Sequence, residues 1–151
     1  MQHVHGWELS NKDKVVVKSF SGATTEDMED YGKPIILKEP ENLILHVGTN
    51  DLKFMDPVQL TESNRPLAQK VEYNSPNTSH SISSILPRRD IQLSVISHIN
   101  SSFKLICREF QCNFIQHNNV KDQHLNRGGL HLNKSGNAIL AQNVKSFIIR
   151  E

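Results

Sequence analysis

Asn42-Leu-Ile-Leu-His-Val-Gly-Thr-Asn-Asp51 is the stretch of sequence that decides the fold. An apolar run ends abruptly at Gly48, and polar residues follow it at once. This pattern predicts a buried strand at residues 42–47 that feeds a polar loop at its carboxyl end. Ligands and catalytic groups gather outside the carboxyl ends of strands in open α/β sheets. We therefore expect the loop at residues 48–51 to take part in a functional site.

Strand and helix patterns alternate along the rest of the chain. Strands are predicted at residues 14–20, 42–47, 81–86 and 112–115. Helices are predicted from Thr25 to about Gly32 and at residues 57–71, 91–110 and 137–149, the last with Ser135 as its cap. Alternation of this kind favours an α/β domain whose parallel sheet is covered by helices on both faces. With 151 residues, the chain has room for one such domain with one core.

Composition and charge exclude several function classes. An apolar fraction of 36% and a mean hydropathy of -0.47 indicate a soluble globular protein. The 17 basic residues are scattered and the net charge is +1, so we expect no surface for nucleic acid or for an anionic membrane. No apolar run approaches the roughly 20 residues that a membrane span needs. The sequence has no P-loop and no GxGxxG motif, which removes the main support for a nucleotide-binding function.

The first residues and the cysteines bear on the compartment. The stretch from Met1 to Trp7 lacks the charged and apolar regions of a signal peptide. Cys107 and Cys112 are the only cysteines, and they do not form a CxxC motif. We therefore expect a reduced, intracellular and cytoplasmic protein whose cysteines pack in the core.

Three polar loops follow predicted strands, and all three are expected at the same edge of the sheet. They are Ser21-Gly22-Ala23, the loop at residues 48–51 and the region around His131. Together they offer a backbone N–H at a glycine, a side-chain amide and an imidazole. Two oxyanion donors and a general base are the parts of an ester or amide hydrolase.

The same residues carry a family resemblance. Gly48-Thr-Asn-Asp51, with Ser21-Gly22 upstream and Gly129-Leu-His-Leu-Asn133 near the end, resembles the SGNH (GDSL-type) hydrolase superfamily, collinearly from about residue 7 to residue 147. The resemblance implies a three-layer α/β/α sandwich with a flavodoxin-like parallel sheet. It implies an esterase or acylhydrolase that acts on a small acylated substrate without metal or organic cofactor. It also implies Gly22 and Asn50 as oxyanion donors and His131 as the base.

Two departures from the family pattern limit what the resemblance implies. The family begins with a strand that ends in Gly-Asp-Ser, whose serine is the nucleophile, and this sequence contains no Gly-Asp-Ser. Residues 1–5 instead resemble the start of the first helix, which follows that serine. The family's acid lies three residues before the base, where this chain has Gly128. We therefore expect an N-terminally truncated domain with an open sheet edge and with weak or no hydrolase activity.

Several other readings of the residues remain open. The chain is an enzyme, or a non-catalytic module that binds an acylated or glycan ligand, or a mobile-element remnant. The last reading comes from residues 19–25 and 85–90, which resemble SGNH domains of invertebrate and other animal genomes, since some relatives of this type accompany retrotransposon reading frames. Asp51 is expected as a loop or cap residue. Asp122 is the nearest acid upstream of His131, but its spacing does not match the family's. Ser21 is disfavoured as a replacement nucleophile because its neighbour Gly22 fits the oxyanion loop. A metal site at His117, His124 and His131 lacks a recognised spacing.

Overall fold

A three-stranded parallel sheet forms the centre of the computed structural model, which describes Leu9 and residues 14–148. The strands are β1 (Asn42–Leu45), β2 (Ser79–Ser83) and β3 (Asn113–Ile115), in the order β1-β2-β3. In the register of the sheet, Leu45 lies beside Ile82, and Ile82 lies beside Phe114. The predicted parallel sheet is confirmed, although the second strand ends at Ser83 rather than at residue 86.

Five α-helices flank the sheet within the described residues. They are α1 (Thr25–Tyr31), α2 (Lys33–Ile36), α3 (Pro57–Asn74), α4 (Leu93–Glu109) and α5 (Lys134–Ile148), with short 3-10 helices at Asp51–Lys53 and Asp122–His124. No helix in this part of the chain combines the length and apolarity that crossing a membrane requires.

Side-chain caps fix where the helices begin. The Thr24 side chain accepts the N–H of Asp27 at the start of α1, and the Asp56 side chain does the same for Val58 and Gln59 in α3. The prediction of Ser135 as the cap of the last helix is wrong. The side-chain oxygen of Asn133 accepts the N–H of Gly136 at 2.9 Å, and α5 therefore begins earlier, at Lys134.

Apolar side chains cover both faces of the sheet and produce three layers. On one face, α3 and α4 pack on β2 through a buried core that includes Leu60, Ala68, Ile82, Ile99 and Phe103. Because successive strand residues point to opposite faces, Leu45 and Ile44 serve different layers. Leu45 packs in the cluster of α2 and α3, whereas Ile44 packs in the cluster of α5. The α/β/α arrangement is therefore confirmed.

The prediction of a strand at residues 14–20 is wrong. This segment has no regular secondary structure, despite its β-branched run at residues 15–17. A strand needs a neighbour to complete its hydrogen-bond ladder, and none of the three strands in the described chain lies next to this segment. The helix start expected at residues 1–5 lies outside the described residues.

Candidate active site

A groove of about 1560 Å³ runs alongside β1 and brings the predicted site residues together. Its walls come from residues 14–23, from residues 40–50 and from the loop at residues 125–132. Gly22, Asn50 and His131 all line it, and each of them comes from a different loop. This cavity is termed the central groove. The tertiary structure thus joins three residues that are far apart in sequence.

Gly22 lies in a tight turn at the mouth of the central groove. The turn is closed by a hydrogen bond of 3.3 Å from the N–H of Ala23 to the carbonyl oxygen of Phe20. Gly22 has φ +75°, a left-handed value that glycine adopts at little cost at this position of a turn. No heavy atom lies within 4 Å of the place where a Cβ would stand. The glycine is therefore required by the backbone conformation and not by crowding.

Asn50 is oriented by a hydrogen bond between two loops. Its side-chain nitrogen Nδ2 donates to the carbonyl oxygen of Ala23 at 2.9 Å. A side-chain amide has two N–H donors. Within the described residues this is the one hydrogen bond of the Asn50 amide, so its second N–H is left for a ligand. The contact also places Asn50 beside the Gly22 turn.

Asp51 links the Asn50 loop to the segment that follows Gly22 through buried hydrogen bonds. Its side chain is fully buried, and both carboxylate oxygens accept the backbone N–H of Thr25, at 3.0 and 3.1 Å. Thr25 is the first residue of α1, where the N–H groups have no partner within the helix and the helix dipole favours a negative charge. Asp51 therefore acts as a cap across the fold, in agreement with the role expected for it.

Arg88 is a site residue that sequence reasoning missed. Its buried guanidinium donates to the carbonyl oxygen of Thr49 at 2.7 Å. It also forms two hydrogen bonds with the carboxylate of Asp90, at 2.8 and 2.5 Å. Arg88 thus fixes the backbone immediately before Asn50. The sequence signal was a pair of arginines followed by an acid, which does not reveal which arginine is buried.

His131 sits on a loop built from two similar tripeptides that pair with each other. Leu125 and Leu132 form an antiparallel bridge. The N–H of Asn126 donates to the carbonyl oxygen of His131 at 2.7 Å, and the N–H of Asn133 donates to that of His124 at 2.9 Å. The pairing presents the exposed His131 side chain to the central groove.

No acid among the described residues supports the His131 imidazole. Within the described chain its ring forms no hydrogen bond, and Gly128 brings no side chain to the position of the family's acid. Asp122 does not replace that acid, because its carboxylate pairs with the Arg89 guanidinium at 2.7 and 3.1 Å. His131 therefore stands alone as a candidate base.

A buried polar network lies below the site, and sequence reasoning missed it as well. The Asn143 amide donates to Nδ1 of His117 at 3.1 Å, so the proton of this imidazole is on Nε2. His117 Nε2 in turn lies 2.7 Å from the Ser83 hydroxyl oxygen. The Ser83 hydroxyl oxygen also lies 2.8 Å from Nδ1 of His46, within hydrogen-bond distance. The one sequence signal was the cluster of serines and a histidine at residues 79–84, which lies mostly in the buried strand β2.

Burial argues against Ser83 as a nucleophile. The nitrogen of His117 that faces it carries a proton and cannot act as its base. Ser83 itself is only 1% exposed. Desolvation lowers the pKa of His46 to about 3 and that of His117 to about 4. Both rings are therefore neutral at neutral pH, and the network is a structural support.

The described residues contain no group of three or more His, Cys, Asp or Glu side chains placed to hold a metal ion. His117 belongs to the Ser83 network instead. Nδ1 of His124 accepts the N–H of Lys121 at 2.9 Å, which closes a 3-10 turn. The three histidines considered as a metal site thus have separate surroundings.

Comparison with solved structures identifies the fold. Neither a family model nor a curated protein matches the sequence. Among solved structures, the chain is similar to a putative arylesterase from Agrobacterium tumefaciens, with a TM-score of 0.76, 18% identity and coverage of 95% of this chain and 83% of that one. It is similar to TesA, with a TM-score of 0.75, 18% identity and coverage of 89% and 77%. It is also similar to a putative GDSL-like lipase from Parabacteroides merdae, with a TM-score of 0.72, 17% identity and coverage of 85% and 70%.

These likenesses agree with a parallel sheet flanked by helices. At identities of 17–18%, they concern the fold. The chain has the fold of the GDSL-like lipases and esterases, which is the SGNH hydrolase fold that the sequence resemblance implied.

Proposed function

We propose that this chain is an SGNH-type ester hydrolase domain for small acylated molecules. In this proposal the backbone N–H of Gly22 and the side chain of Asn50 bind the oxyanion, and His131 is the base. The observation that carries the proposal is the hydrogen bond from the Asn50 side chain to the carbonyl oxygen of Ala23, which joins the loops of Gly22 and Asn50. His131 lines the same groove as these two loops. Fixed donors of this kind stabilise charge that develops on a carbonyl oxygen.

The names of similar structures support an ester as the substrate class. They include an acetyl xylan esterase and an esterase inhibited by monoethylphosphonate, as well as the arylesterase and the lipase. A carboxylic ester passes through a tetrahedral oxyanion, and the donors at Gly22 and Asn50 suit that intermediate. The acyl chain and the alcohol are not fixed by these donors, because substrate selection depends on the surrounding loops.

The rate is expected to be low because no serine is positioned as a nucleophile within the described residues. In the proposed reaction, water attacks the ester carbonyl while the His131 imidazole removes its proton. The tetrahedral intermediate then collapses, and the alcohol leaves with that proton. Binding and oxyanion stabilisation without the nucleophile leave an acceleration on the order of a thousand- to ten-thousand-fold over water.

A hydrolysis assay with matched histidine variants tests this proposal. Nitrophenyl acetate turnover by the purified protein is compared with that of His131→Ala and of His98→Ala, whose histidine is exposed on α4 outside the groove. We expect His131→Ala to lose the turnover above background and His98→Ala to keep it. Equal rates for the unmodified protein and His131→Ala would overturn the hydrolase proposal.

A serine-directed probe separates direct attack by water from attack by an unrecognised serine. Fluorophosphonates trap a nucleophilic serine covalently, so we expect mass spectrometry to find no labelled serine in this protein. A label on Ser21 or Ser83 would replace the water route with an acyl-enzyme route. The ester hydrolase assignment itself would survive that result, whereas direct attack by water would not.

A second candidate function is the binding of an acylated ligand without turnover. The lack of an acid beside His131 favours it, since an unsupported imidazole is a weaker catalyst. Acetylated xylo-oligosaccharides would then raise the melting temperature, and no acetate would be released. Release of acetate in the same samples would exclude this reading.

A further inference from the structure

Two cysteines lie side by side at the end of α4, away from the central groove. Cys107 is in the last turn of the helix, and Cys112 directly precedes β3. Neither residue lines the groove, and both pack in the core on the α3 and α4 side of the sheet. This pair of thiols is therefore separate from the proposed oxyanion donors and from His131.

The backbone at the end of α4 brings the two cysteines together. Gln111 has φ +50°, the left-handed conformation that ends a helix in a Schellman motif. The N–H of Cys112 donates to the carbonyl oxygen of Cys107 at 2.9 Å, which is the hydrogen bond that closes this motif. Side chains at these two positions of the motif commonly contact each other. The form of the helix end thus places the two cysteines next to each other.

The two thiols interact directly but differ in accessibility. The Cys112 thiol forms a hydrogen bond with the Cys107 sulfur, and Sγ of Cys107 donates to the carbonyl oxygen of Asn113 at 3.4 Å. Thiols that already touch are placed to form a disulfide with little backbone movement. Cys107 is 3% exposed, whereas Cys112 is half-buried. A small reagent from solvent therefore meets Cys112 first.

An imidazole lies beside the more accessible thiol. His80 is buried on β2, and its Nε2 finds no N–H or O–H partner among the described residues. The ring faces the Cys112 thiol, and it opposes the rise in pKa that the hydrogen bond with Cys107 and burial impose on that thiol. Thiol–disulfide exchange proceeds through the thiolate. A neighbouring nitrogen that accepts the thiol proton therefore favours reaction at Cys112.

We propose that Cys107 and Cys112 form a dithiol site that exchanges with small-molecule disulfides such as glutathione disulfide. Cys112 loses its proton to Nε2 of His80, and its sulfur attacks one sulfur of the reagent. The first glutathione leaves and takes up that proton. Sγ of Cys107 then attacks Sγ of Cys112, and the second glutathione leaves with the Cys107 proton. The two cysteine thiols are thus oxidised to one disulfide, and the reagent is reduced to two glutathione thiols.

Treatment of the reduced full chain with glutathione disulfide tests the proposal without any ester. Mass spectrometry of the denatured protein should show a loss equal to the mass of two hydrogen atoms, and no thiol should remain for N-ethylmaleimide. Trypsin cuts after Lys104, Arg108 and Lys121, so the disulfide should link the peptides 105–108 and 109–121. The bond ties the last turn of α4 to the start of β3, and we expect the melting temperature to rise by roughly 5 °C.

Matched variants separate the roles of the three side chains. In Cys107→Ala the reaction should stop at a glutathione adduct on Cys112. In Cys112→Ala the buried Cys107 should stay unmodified as long as the chain is folded. His80→Gln should slow disulfide formation by about tenfold or more, because the amide does not accept the thiol proton. His98→Gln is the control, since this histidine is exposed on α4, and it should leave the rate unchanged.

Several outcomes would overturn the proposal. They are a lasting glutathione adduct on the unsubstituted chain, a disulfide between two chains, and no reaction of the folded chain. A lower melting temperature after oxidation would also overturn it, because the folded backbone would then not suit the bond. An adduct on Cys107 in Cys112→Ala would contradict the order of attack, and an unchanged rate in His80→Gln would contradict the role of His80. If circular dichroism shows that a cysteine variant does not fold, the linked tryptic peptides of the unsubstituted chain decide.

Discussion

The carboxylate of Asp51 accepts the backbone N–H of Thr25 from both of its oxygens, at 3.0 and 3.1 Å, in a fully buried position. This contact joins the loop after β1 to the first turn of α1. Asn50 precedes Asp51, and the Gly22 turn precedes α1. One buried hydrogen-bonded carboxylate therefore sets the relative position of both proposed oxyanion donors.

Replacing Asp51 by Asn should destabilise the protein and loosen the site together. The change preserves the shape of the side chain but removes the charge that faces the start of α1. We expect a loss of about 1.5–3 kcal/mol in the free energy of unfolding, the range for hydrogen bonds to charged groups. Urea unfolding measures it. Asp122→Asn is the control, since its ion pair with Arg89 is exposed and should contribute little to stability. Similar losses for the two variants would contradict the capping role of Asp51.

Replacing Arg88 by Lys should lower ester turnover more than replacing Arg89 by Lys. A lysine has no planar fork, so it cannot keep both the Asp90 pair and the hydrogen bond to the Thr49 carbonyl. The loop that carries Asn50 then loses its anchor, and we expect turnover to fall by about tenfold or more, in line with loss of oxyanion geometry. Arg89 instead forms an exposed pair with Asp122 and contacts the carbonyl oxygens of Asn126 and Arg127, so it does not bond the loop that carries Asn50. The turnover of nitrophenyl acetate is measured for both variants. Equal rates would contradict a role of Arg88 in positioning Asn50.

Acid should weaken the fold well above the range where carboxylates titrate. Desolvation lowers the pKa of His46 to about 3 and that of His117 to about 4, whereas an unfolded chain protonates histidine near about 6.5. As the pH falls below about 6.5, the unfolded state binds protons that the folded state does not bind. The free energy of unfolding therefore falls through this window, and the decline ends as the folded rings titrate near pH 4 and pH 3.

Urea unfolding at a series of pH values measures this decline. A double variant, His46→Gln with His117→Gln, should flatten it between about pH 6.5 and pH 4, and His98→Gln should not. The carboxyls of Asp90 and Asp122 affect stability only at lower pH, because their arginine partners hold the pKa of each below its ordinary value of 3.8. Their contribution is present above that value and is lost below it. An unchanged slope in the double variant would show that the histidines are not responsible.

Alanine at Gly48 should cost more stability than alanine at Gly22. Both glycines have left-handed φ values, +111° and +75°. A Cβ at Gly48 would also come within 3.3–3.4 Å of side chains of Ile85, Leu60 and Phe103, whereas one at Gly22 would meet nothing within 4 Å. We expect about 1 kcal/mol at Gly22, from backbone strain, and about 2–3 kcal/mol at Gly48. Thermal unfolding of the two variants compares them, and the reverse order would contradict the packing argument.

The sequence by itself determined the local elements and, through them, the fold class. An apolar run followed by a polar loop predicted β1 and the position of Asn50, and the acids after Thr25 predicted the start of α1. These signals are local, because a strand period or a helix cap involves neighbouring residues. Asn133 and Ser135 are both suitable cap residues and lie two positions apart, and the sequence pattern favoured Ser135 although Asn133 is the cap.

Only the tertiary structure decided how these elements support a site. Asp51, Arg88 and Ser83 each have a hydrogen-bond partner that lies 26 to 39 residues away in sequence, and no local pattern reveals such a partner. The same holds for residues 14–20, whose β-branched run favours a strand but finds no ladder beside it in the described chain. A strand or a buried polar group is stabilised by its partner across the fold, and that partner is fixed only when the chain has folded.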